Sequence, residues 1–355
     1  MRELRVLVVD DSAFNRKLIA EILTSIEGVS VVGKAANGEE ALRMLGSLEP
    51  DLITLDLEMP KMDGFSLLRF VMARRPVPVI VVSSHSAKQN VFRALELGAL
   101  DFVAKPGSAP GEALNVIREE LVAKVSMVQS LRPTVDKDRQ TRTVSTLLRA
   151  VRDDDERPLP LQDTPRRVVV IVASTGGPSA LVEVFSWFRS DTPAAVLVVQ
   201  HMPPKFTRTF AERLDRLGGL RVSEAVDGDR LRAGRALVCP GGKCVDVMRV
   251  RDGYAVRVDL PHPSDRYVPS GDRALKTAAE AAKGRVLGVV MTGMGDDGAQ
   301  GVVAVHEAGG LLLVQSPGDS LIDGMPRNAM ASGVVDHALP LRLLGERIVR
   351  FSERV

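Results

Sequence analysis

The amino-acid sequence predicts two α/β domains, each built on a doubly wound parallel β-sheet and joined by a polar linker. The chain has 355 residues, which is long for a single hydrophobic core. Short runs rich in Val and Ile alternate with helical patterns in both halves of the chain, and this alternation is typical of parallel sheets with helices on both faces. The stretch between the halves lacks apolar periodicity and is rich in Arg, Asp, Thr and Pro. We therefore expect a first domain at 1–125, a linker at 126–166 and a second domain at 167–355.

Five apolar runs in the first domain predict a flavodoxin-like sheet. They are almost continuously apolar, as expected for strands that are buried on both faces. The predicted strands are residues 4–10, 29–35, 51–56, 77–84 and 101–106.

The second domain shows the same alternation, which predicts a second, Rossmann-like doubly wound sheet. Its predicted strands are residues 168–174, 194–201, 235–240, 285–293 and 310–316. Within the linker, residues 144–152 could form a short helix, although helices of this length are marginal unless they dock.

Composition excludes several function classes. Lys and Arg number 47 against 45 Asp and Glu, so the net charge of +2 gives no argument for nucleic acid or an anionic membrane as partner. No secretory signal and no run of 18 apolar residues is present, so we expect a cytoplasmic protein without direct membrane insertion. The two cysteines, Cys239 and Cys244, are interpreted as reduced thiols, because two residues supply neither a disulfide framework nor a zinc ligand set.

Ionisable residues gather at the carboxyl ends of the first five strands, where the functional crevice of a parallel sheet lies. Asp10 and Asp11 follow the first strand, Asp56 the third, Ser83 the fourth and Lys105 the fifth. Three carboxylates at one edge repel one another unless a hard divalent cation binds them, which predicts a Mg²⁺ site. A carboxylate beside Mg²⁺ can accept a phosphoryl group. We choose Asp56 as the acceptor, with Lys105 and Ser83 contacting the phosphoryl oxygens.

These motifs resemble the response-regulator receiver family over the whole first domain. They are DD at 10–11, LDLEMPKMDG at 55–64, VVSS at 81–84 and AKPG at 104–107. The resemblance implies a histidine kinase as phosphodonor and a cis Lys105–Pro106 bond. It also places Phe102 at the aromatic switch position, where an ordinary core phenylalanine would look the same. Each aspartate taken singly could instead be a solvated strand-end carboxylate.

A possible nucleophile, base and orienting carboxylate follow three separate strands of the second domain. Ser174 lies at the turn where a strand enters TGGPSAL, a geometry that exposes a hydroxyl and directs backbone amides outward. Of the five histidines, His201 alone ends a strand, and Asp297 follows the strand at 285–293. Taken one at a time, Ser174 could belong to a phosphate-binding loop, His201 could be a structural histidine and Asp297 could be a helix N-cap. Their joint placement favours a catalytic triad.

The same segments resemble the catalytic domain of protein-glutamate methylesterases over about 167–350. The matching motifs are STGGP at 174–178, QHMP at 200–203, PGG at 240–242, TGMGDDG at 292–298 and GMPR at 324–327. The resemblance implies Ser174 as nucleophile, His201 as general base and Asp297 as orienting carboxylate. Asp297 is preferred to the neighbouring Asp296 because the family's triad Asp directly precedes the equivalent of Gly298. Thr175 and Met294 belong to the neighbourhood expected to supply oxyanion donors, and the esterase needs no cofactor.

By this resemblance the chain hydrolyses glutamyl methyl esters on methyl-accepting chemotaxis receptors or related sensors, and it also deamidates glutamines. Phosphorylation of Asp56 is expected to loosen packing of the receiver over the Ser174 crevice. The alternative is a non-enzymatic response regulator whose second domain binds a partner. A third alternative is a dinucleotide-binding enzyme, but the sequence lacks the G-x-G-x-x-G fingerprint of that class. Departures at Cys244, where relatives commonly carry His, and at 264–272 and 315–320 leave the substrate's identity open.

Overall fold

The structure of the protein is a computed structural model that describes residues 3–83, 88–105, 112–130 and 164–353. The chain divides into two compact units, Met1–Leu148 and Arg149–Val355, and each is described by itself. The helix considered at 144–152 and the Lys105–Pro106 bond lie outside the described residues. The domain boundaries at 125 and 167 stay predictions.

The first unit contains a five-stranded parallel sheet with the strand order β2-β1-β3-β4-β5. This order is that of flavodoxin-like folds, so the predicted fold class is confirmed. The elements are β1 (Leu4–Val9), α1 (Ala13–Thr24), β2 (Val29–Ala35), α2 (Gly38–Leu48), β3 (Leu52–Leu55), α3 (Gly64–Arg74), β4 (Val79–Ser83), α4 (Lys88–Glu96), β5 (Asp101–Ala104) and α5 (Glu112–Ser130).

Short polar side chains cap the first turns of α1 and α3. The Ser12 hydroxyl accepts a hydrogen bond from the Asn15 N–H at the start of α1, and the Asp63 carboxylate accepts one from the Ser66 N–H at the start of α3. Such caps satisfy backbone donors that have no partner within the helix. The Gly64 N–H also donates to the Leu57 carbonyl, so α1 begins close to Asp10 and α3 close to Asp56.

The second unit contains a seven-stranded parallel sheet with the order β15-β14-β13-β6-β7-β10-β8. Its elements are β6 (Arg167–Ala173), α6 (Gly177–Phe185), β7 (Ala194–Gln200), α7 (Phe206–Asp215), β8 (Arg221–Glu224), β9 (Arg230–Leu231), β10 (Arg235–Val238), β11 (Cys244–Val250), β12 (Gly253–Asp259), α8 (Gly271–Ala282), β13 (Val286–Val290), α9 (Gly301–Glu307), β14 (Leu311–Gln315), α10 (Gly324–Ala331), β15 (His337–Leu339) and α11 (Leu341–Glu353).

Strand β6 lies at the centre of this sheet and is buried on both faces. Val168, Val170 and Val172 are fully buried and belong to the same core cluster as Ala274 and Ala278 of α8. The intervening residues of β6 point to the opposite face, because successive strand side chains alternate, and they too are fully buried. Burial on both faces explains why the run is continuously apolar. The predicted doubly wound architecture is confirmed.

Two features of the second unit were not predicted from the sequence. Strands β8 and β15 are edge strands whose residues are largely exposed, so they carry little apolar signal. Strands β9, β11 and β12 form a separate antiparallel sheet. The hairpin of β11 and β12 turns through Arg251 and Asp252 into Gly253 at φ 123°. Gly253 is the first residue of β12, and a glycine adopts this positive φ without the strain that a side chain would cause.

Within the described segments, no helix combines the length and apolar character that crossing a bilayer requires.

Candidate active site and acidic pocket

Ser174, His201 and Asp297 lie at the switch point of the seven-stranded sheet, where β6 has β7 on one side and β13 on the other. In open α/β sheets ligands bind at this point, outside the carboxyl ends of the strands. The His201 N–H donates to the Ala173 carbonyl at 3.0 Å, and the Ser174 N–H donates to the Thr292 carbonyl at 3.0 Å. Backbone hydrogen bonds thus hold the three strand ends together.

The Asp297 carboxylate is completely buried and accepts hydrogen bonds from three donors. His201 Nε2 lies 2.7 Å from Asp297 Oδ2, and the backbone N–H groups of Gly271 and Asp272 donate to the carboxylate at 2.7 and 2.9 Å. Gly271 and Asp272 open helix α8. The carboxylate therefore contacts the imidazole and also accepts from the first N–H groups of α8. The N-cap residue of α8 is Ser270 and that of α9 is Gln300, so Asp297 is not the N-cap of either helix.

This contact decides which imidazole nitrogen is free. A buried carboxylate is an acceptor, so the proton of a neutral His201 ring lies on Nε2 and the lone pair on Nδ1. Ser174 is half-buried on the neighbouring strand end. Its hydroxyl makes no hydrogen bond to any group of the described segments. The structure thus brings the backbones of Ser174 and His201 together without joining their side chains.

Thr175 and Met294, the predicted oxyanion neighbourhood, lie on the two loops that flank Ser174. The Thr175 carbonyl accepts a hydrogen bond from Thr292 Oγ1 at 2.9 Å. The Met294 side chain is 38% exposed, and among the residues that the structure describes its backbone N–H has no acceptor. A Cβ on Gly293 would lie 2.8 Å from the Ser174 Cβ, so only glycine lets the two loops approach this closely.

Two residues at this site had no role in the sequence interpretation. Gln200 Nε2 donates to the Ser174 carbonyl at 2.9 Å and to the His201 carbonyl at 3.0 Å, which holds both turns in place. The Tyr267 ring stacks on His201, with 5.3 Å between ring centroids and 5° between planes. Gln200 occurs in the QHMP motif, and Tyr267 in the loop noted as a departure, but neither signal specifies these contacts.

The loop that contains Tyr267 is attached to the antiparallel sheet through buried polar contacts. Arg273 of α8 pairs with Asp246 at 2.6 Å and with Asp265 at 3.0 Å. Cys244 Sγ lies 3.6 Å from Asp265 Oδ2, and burial raises the pKa of this thiol to about 11. Both Cys244 and Cys239 are free, buried thiols, which agrees with the interpretation of the two cysteines as reduced.

In the first unit, Asp10, Asp11 and Asp56 form an acidic pocket with carboxylate oxygens within 4.8 Å of one another. Lys105 Nζ lies 2.8 Å from Asp10 Oδ2 and 2.5 Å from Asp56 Oδ2. Burial raises the pKa of Asp56, and the negative charge of Asp10 adds to this effect against the opposing contribution of Lys105. Burial opposes protonation of Lys105, but hydrogen bonds to both carboxylates raise its pKa overall. The three strand ends therefore meet, as predicted.

Ser83 and Phe102 lie beside this pocket on β4 and β5. The Ser83 hydroxyl is buried and has no hydrogen-bond partner in the described part of the chain. Phe102 is 2% exposed, and the Lys124 ammonium lies 5.2 Å from its ring centroid. Burial is common to a core phenylalanine and to a switching aromatic at rest, so the role of Phe102 stays a prediction.

The second unit has the architecture and strand-end chemistry of an α/β serine hydrolase, and the first has those of a phosphoacceptor domain. The comparisons with known proteins agree with this class. The family model described as CheB methylesterase matches residues 169–348, and that of the response regulator receiver domain matches residues 6–118.

Curated relatives match almost the whole chain. A protein-glutamate methylesterase/protein-glutamine glutaminase of Geobacter sulfurreducens is 46% identical, with 99% of this chain and 98% of the relative covered. One of Myxococcus xanthus is 43% identical, with coverage of 98% and 97%. The crystal structure of the Thermotoga maritima CheB methylesterase catalytic domain is 33% identical, with a TM-score of 0.50 over 52% of this chain and 97% of that one.

The chain belongs to the protein-glutamate methylesterase family. It is an enzyme, a methylesterase regulated by phosphorylation of its receiver domain. The alternative of a non-enzymatic response regulator is therefore set aside.

Proposed function

We propose that Ser174, His201 and Asp297 form the catalytic triad, and that the substrates are glutamyl methyl esters on methyl-accepting chemotaxis receptors or related sensors. The observation that carries this proposal is the 2.7 Å contact between His201 Nε2 and the buried Asp297, with Ser174 at the adjacent strand end. Because Asp297 engages Nε2, the base is Nδ1 of His201. The chemotaxis substrates are inferred from the family.

The reaction starts when His201 Nδ1 takes the proton of the Ser174 hydroxyl as its oxygen attacks the ester carbonyl. Asp297 holds the imidazole and stabilises the imidazolium that forms. When the tetrahedral intermediate collapses, the bond to the methoxy oxygen breaks, and Nδ1 returns its proton so that methanol leaves. Water then attacks the acyl-enzyme by the same proton transfers in reverse, which releases a glutamate side chain and restores Ser174. With glutamine the leaving group is ammonia.

The oxyanion of the intermediate needs hydrogen-bond donors that point at it before the reaction begins. The Met294 N–H is one candidate, because it makes no hydrogen bond within the described segments, and the backbone at Thr175 lies on the other side of Ser174. A donor of this kind lowers the barrier by about 3 kcal/mol, because it requires no reorganisation during the reaction.

In the receiver domain, we propose that Asp10, Asp11 and Asp56 hold Mg²⁺ and that Asp56 accepts the phosphoryl group. The fit rests on the donors themselves, three carboxylates whose oxygens lie within 4.8 Å of one another, since Mg²⁺ prefers oxygen ligands. When bound, the ion neutralises charge on the phosphoryl oxygens. The Lys105 ammonium, which contacts the Asp56 carboxylate, and the Ser83 hydroxyl, which has no hydrogen-bond partner within the described segments, are the proposed contacts of the same oxygens.

A histidine kinase is the proposed phosphodonor, and phosphorylation of Asp56 is proposed to release a restraint that the receiver exerts on the esterase. Family membership supports both proposals. It also supports a cytoplasmic location, since the phosphodonor chemistry is intracellular. The net charge of +2 gives no basis for proposing a nucleic-acid partner.

Two measurements test these proposals. A serine-reactive fluorophosphonate should label the wild type and spare Ser174→Ala, and labelling of that variant would contradict the choice of nucleophile. Methanol release from methylated receptor fragments should rise when a small-molecule phosphodonor and Mg²⁺ are added to the wild type. The Asp56→Asn variant should keep its basal rate and show no rise. Equal stimulation of the variant would refute the proposed coupling.

A further inference from the structure

The imidazole of His201 is contacted on its edge and also on its face. Its edge meets Asp297 through Nε2 at 2.7 Å. Its face meets the phenol ring of Tyr267, with 5.3 Å between centroids and 5° between planes. The His201 side chain is 16% exposed, and the Tyr267 ring packs against its face in a parallel, offset stack.

The Tyr267 ring is itself held by the residue next to Asp297. Its hydroxyl donates to Asp296 Oδ1 at 2.7 Å, and the Asp296 N–H donates to the hydroxyl oxygen at 3.3 Å. Arg266 pairs with Asp296 Oδ2 at 2.7 Å, and its guanidinium lies 5.4 Å from the Tyr267 centroid. The phenol therefore has a fixed position rather than the freedom of an exposed loop residue.

The turn between Met294 and Asp296 is shaped to admit the phenol. Gly295 has a φ of 90°, a conformation that L side chains rarely adopt. A Cβ at this position would lie 2.3 Å from the Tyr267 hydroxyl. A side chain at position 295 would therefore displace Tyr267 from Asp296.

We propose that Tyr267 is a positioning residue for His201, and that the neighbouring carboxylates Asp296 and Asp297 divide the work of holding the imidazole. Asp297 fixes the ring within its plane by bonding Nε2. Asp296 fixes it perpendicular to that plane by holding Tyr267 against the ring face. This inference rests on the proposed function, in which His201 is the base.

The His201 ring moves only through its side-chain torsions, and the hydrogen bond at Nε2 restrains the nitrogen farthest from the backbone. Small coupled changes of χ1 and χ2 that keep this hydrogen bond still tilt the ring plane and redirect Nδ1, the nitrogen that must reach the Ser174 hydroxyl. The parallel Tyr267 ring opposes a tilt towards the face that it contacts. Misplacing a reacting group by about 1 Å can lower a rate by about 100-fold, so a rotational restraint is important even where it adds little to folding stability.

The protonation states of the pair suit this role. Burial raises the pKa of Tyr267, and the hydrogen bond to Asp296 raises it further, so the phenol remains a donor at neutral pH. The hydrogen bond from Tyr267 lowers the pKa of Asp296, so its carboxylate remains charged. The contact that holds the ring is then a charge-assisted hydrogen bond, which is stronger than a neutral one.

The test compares full-length variants by methanol release from methylated receptor fragments and by the rate of fluorophosphonate labelling. Tyr267→Leu should lower kcat and the labelling rate by about tenfold, with KM within about twofold of the wild type. Tyr267→Phe keeps the ring but loses the hydrogen bond that holds it to Asp296, so its kcat should lie between those of Tyr267→Leu and the wild type. Leu260→Ala, on a residue that is 76% exposed before the loop, is the control and should match the wild type.

A double-mutant cycle tests the hydrogen bond between Tyr267 and Asp296. Tyr267→Phe and Asp296→Ala break the same hydrogen bond, so the double variant should be no slower than the slower single variant. Additive losses would overturn the division of work between the two carboxylates. If urea unfolding shows that Tyr267→Leu does not fold, Tyr267→Met, which fills similar space without a flat ring, replaces it, and an unchanged kcat in that variant would overturn the inference.

A Tyr267→Leu variant with unchanged kcat, or with a raised KM alone, would show that Tyr267 only lines the substrate groove, and the inference would fail. Ser174→Ala and His201→Ala are measured in parallel. If those two variants keep wild-type activity, the proposed triad fails instead, so the two failures are distinguishable.

Discussion

Replacing Asp297 with alanine perturbs the chemistry and the fold at one point, and its neighbour provides a matched control. Asp297 is completely buried and accepts hydrogen bonds from His201 Nε2, Gly271 N–H and Asp272 N–H. Asp296 is adjacent, but its side chain is 44% exposed and pairs with Arg266. Asp296→Ala therefore makes the same chemical change one residue away from the triad contact.

The expected loss of activity follows from the loss of imidazole orientation. Without Asp297 neither tautomer of His201 is favoured, and the imidazolium that forms on proton transfer is unpaired. Removing the orienting carboxylate of a serine-hydrolase triad lowers the rate by about 10⁴-fold, which corresponds to about 5 kcal/mol of barrier. We expect Asp297→Ala to lose activity on this scale and Asp296→Ala to lose less than about tenfold.

The expected loss of stability follows from the backbone donors at the start of α8. Without the carboxylate, the N–H groups of Gly271 and Asp272 lose their acceptor, at about 1–2 kcal/mol each for helix-capping and partly buried donors. Urea unfolding of Asp297→Ala should therefore show a loss of about 2–4 kcal/mol, and that of Asp296→Ala less than about 1 kcal/mol. This loss is smaller than the stability of a typical domain, so the variant remains measurable.

Methanol release from methylated receptor fragments measures the activity, and a urea titration on the same samples measures the stability. An Asp297→Ala variant that keeps more than about a tenth of wild-type kcat/KM would refute the reasoning. So would an Asp296→Ala variant that loses as much activity as Asp297→Ala.

Three further predictions concern other groups. Burial acts to raise the pKa of Asp246, but hydrogen bonds from Arg273 and Arg257 outweigh burial and lower it. In urea titrations, the stability advantage of the wild type over Asp246→Asn should therefore be complete at neutral pH and shrink as the pH falls below about 4. An advantage that does not depend on pH would contradict this. Cys239 and Cys244 are buried and have raised pKa values, so iodoacetamide at pH 7.5 should alkylate them only after the chain unfolds. Mass spectrometry detects the alkylation, and rapid alkylation of the native chain would contradict the burial. Mg²⁺ should raise the Tm of the wild-type receiver transition and leave that of Asp10→Asn nearly unchanged, whereas an equal rise in both would argue against Asp10 as a ligand.

The sequence by itself determined the two parallel sheets and the residues that stand at their strand ends. Buried parallel strands are continuously apolar, so β1 and β6 could be located without any tertiary information. Because all strands of a parallel sheet end at one edge, it also followed that Ser174 and His201 share an edge. Weakly apolar elements, such as β8 and β15, gave no comparable signal, because edge strands are solvated.

Only the tertiary structure decided the contacts within that edge. Strand order places β13 beside β6, and the order of strands depends on packing between segments that are far apart in the chain. Asp296 and Asp297 are adjacent and chemically identical, yet one contacts Tyr267 and the other His201. The directions in which these two side chains point depend on the turn at Gly295 and on a loop almost thirty residues earlier in the chain. Such contacts are non-local, so no periodicity or local propensity in the sequence encodes them.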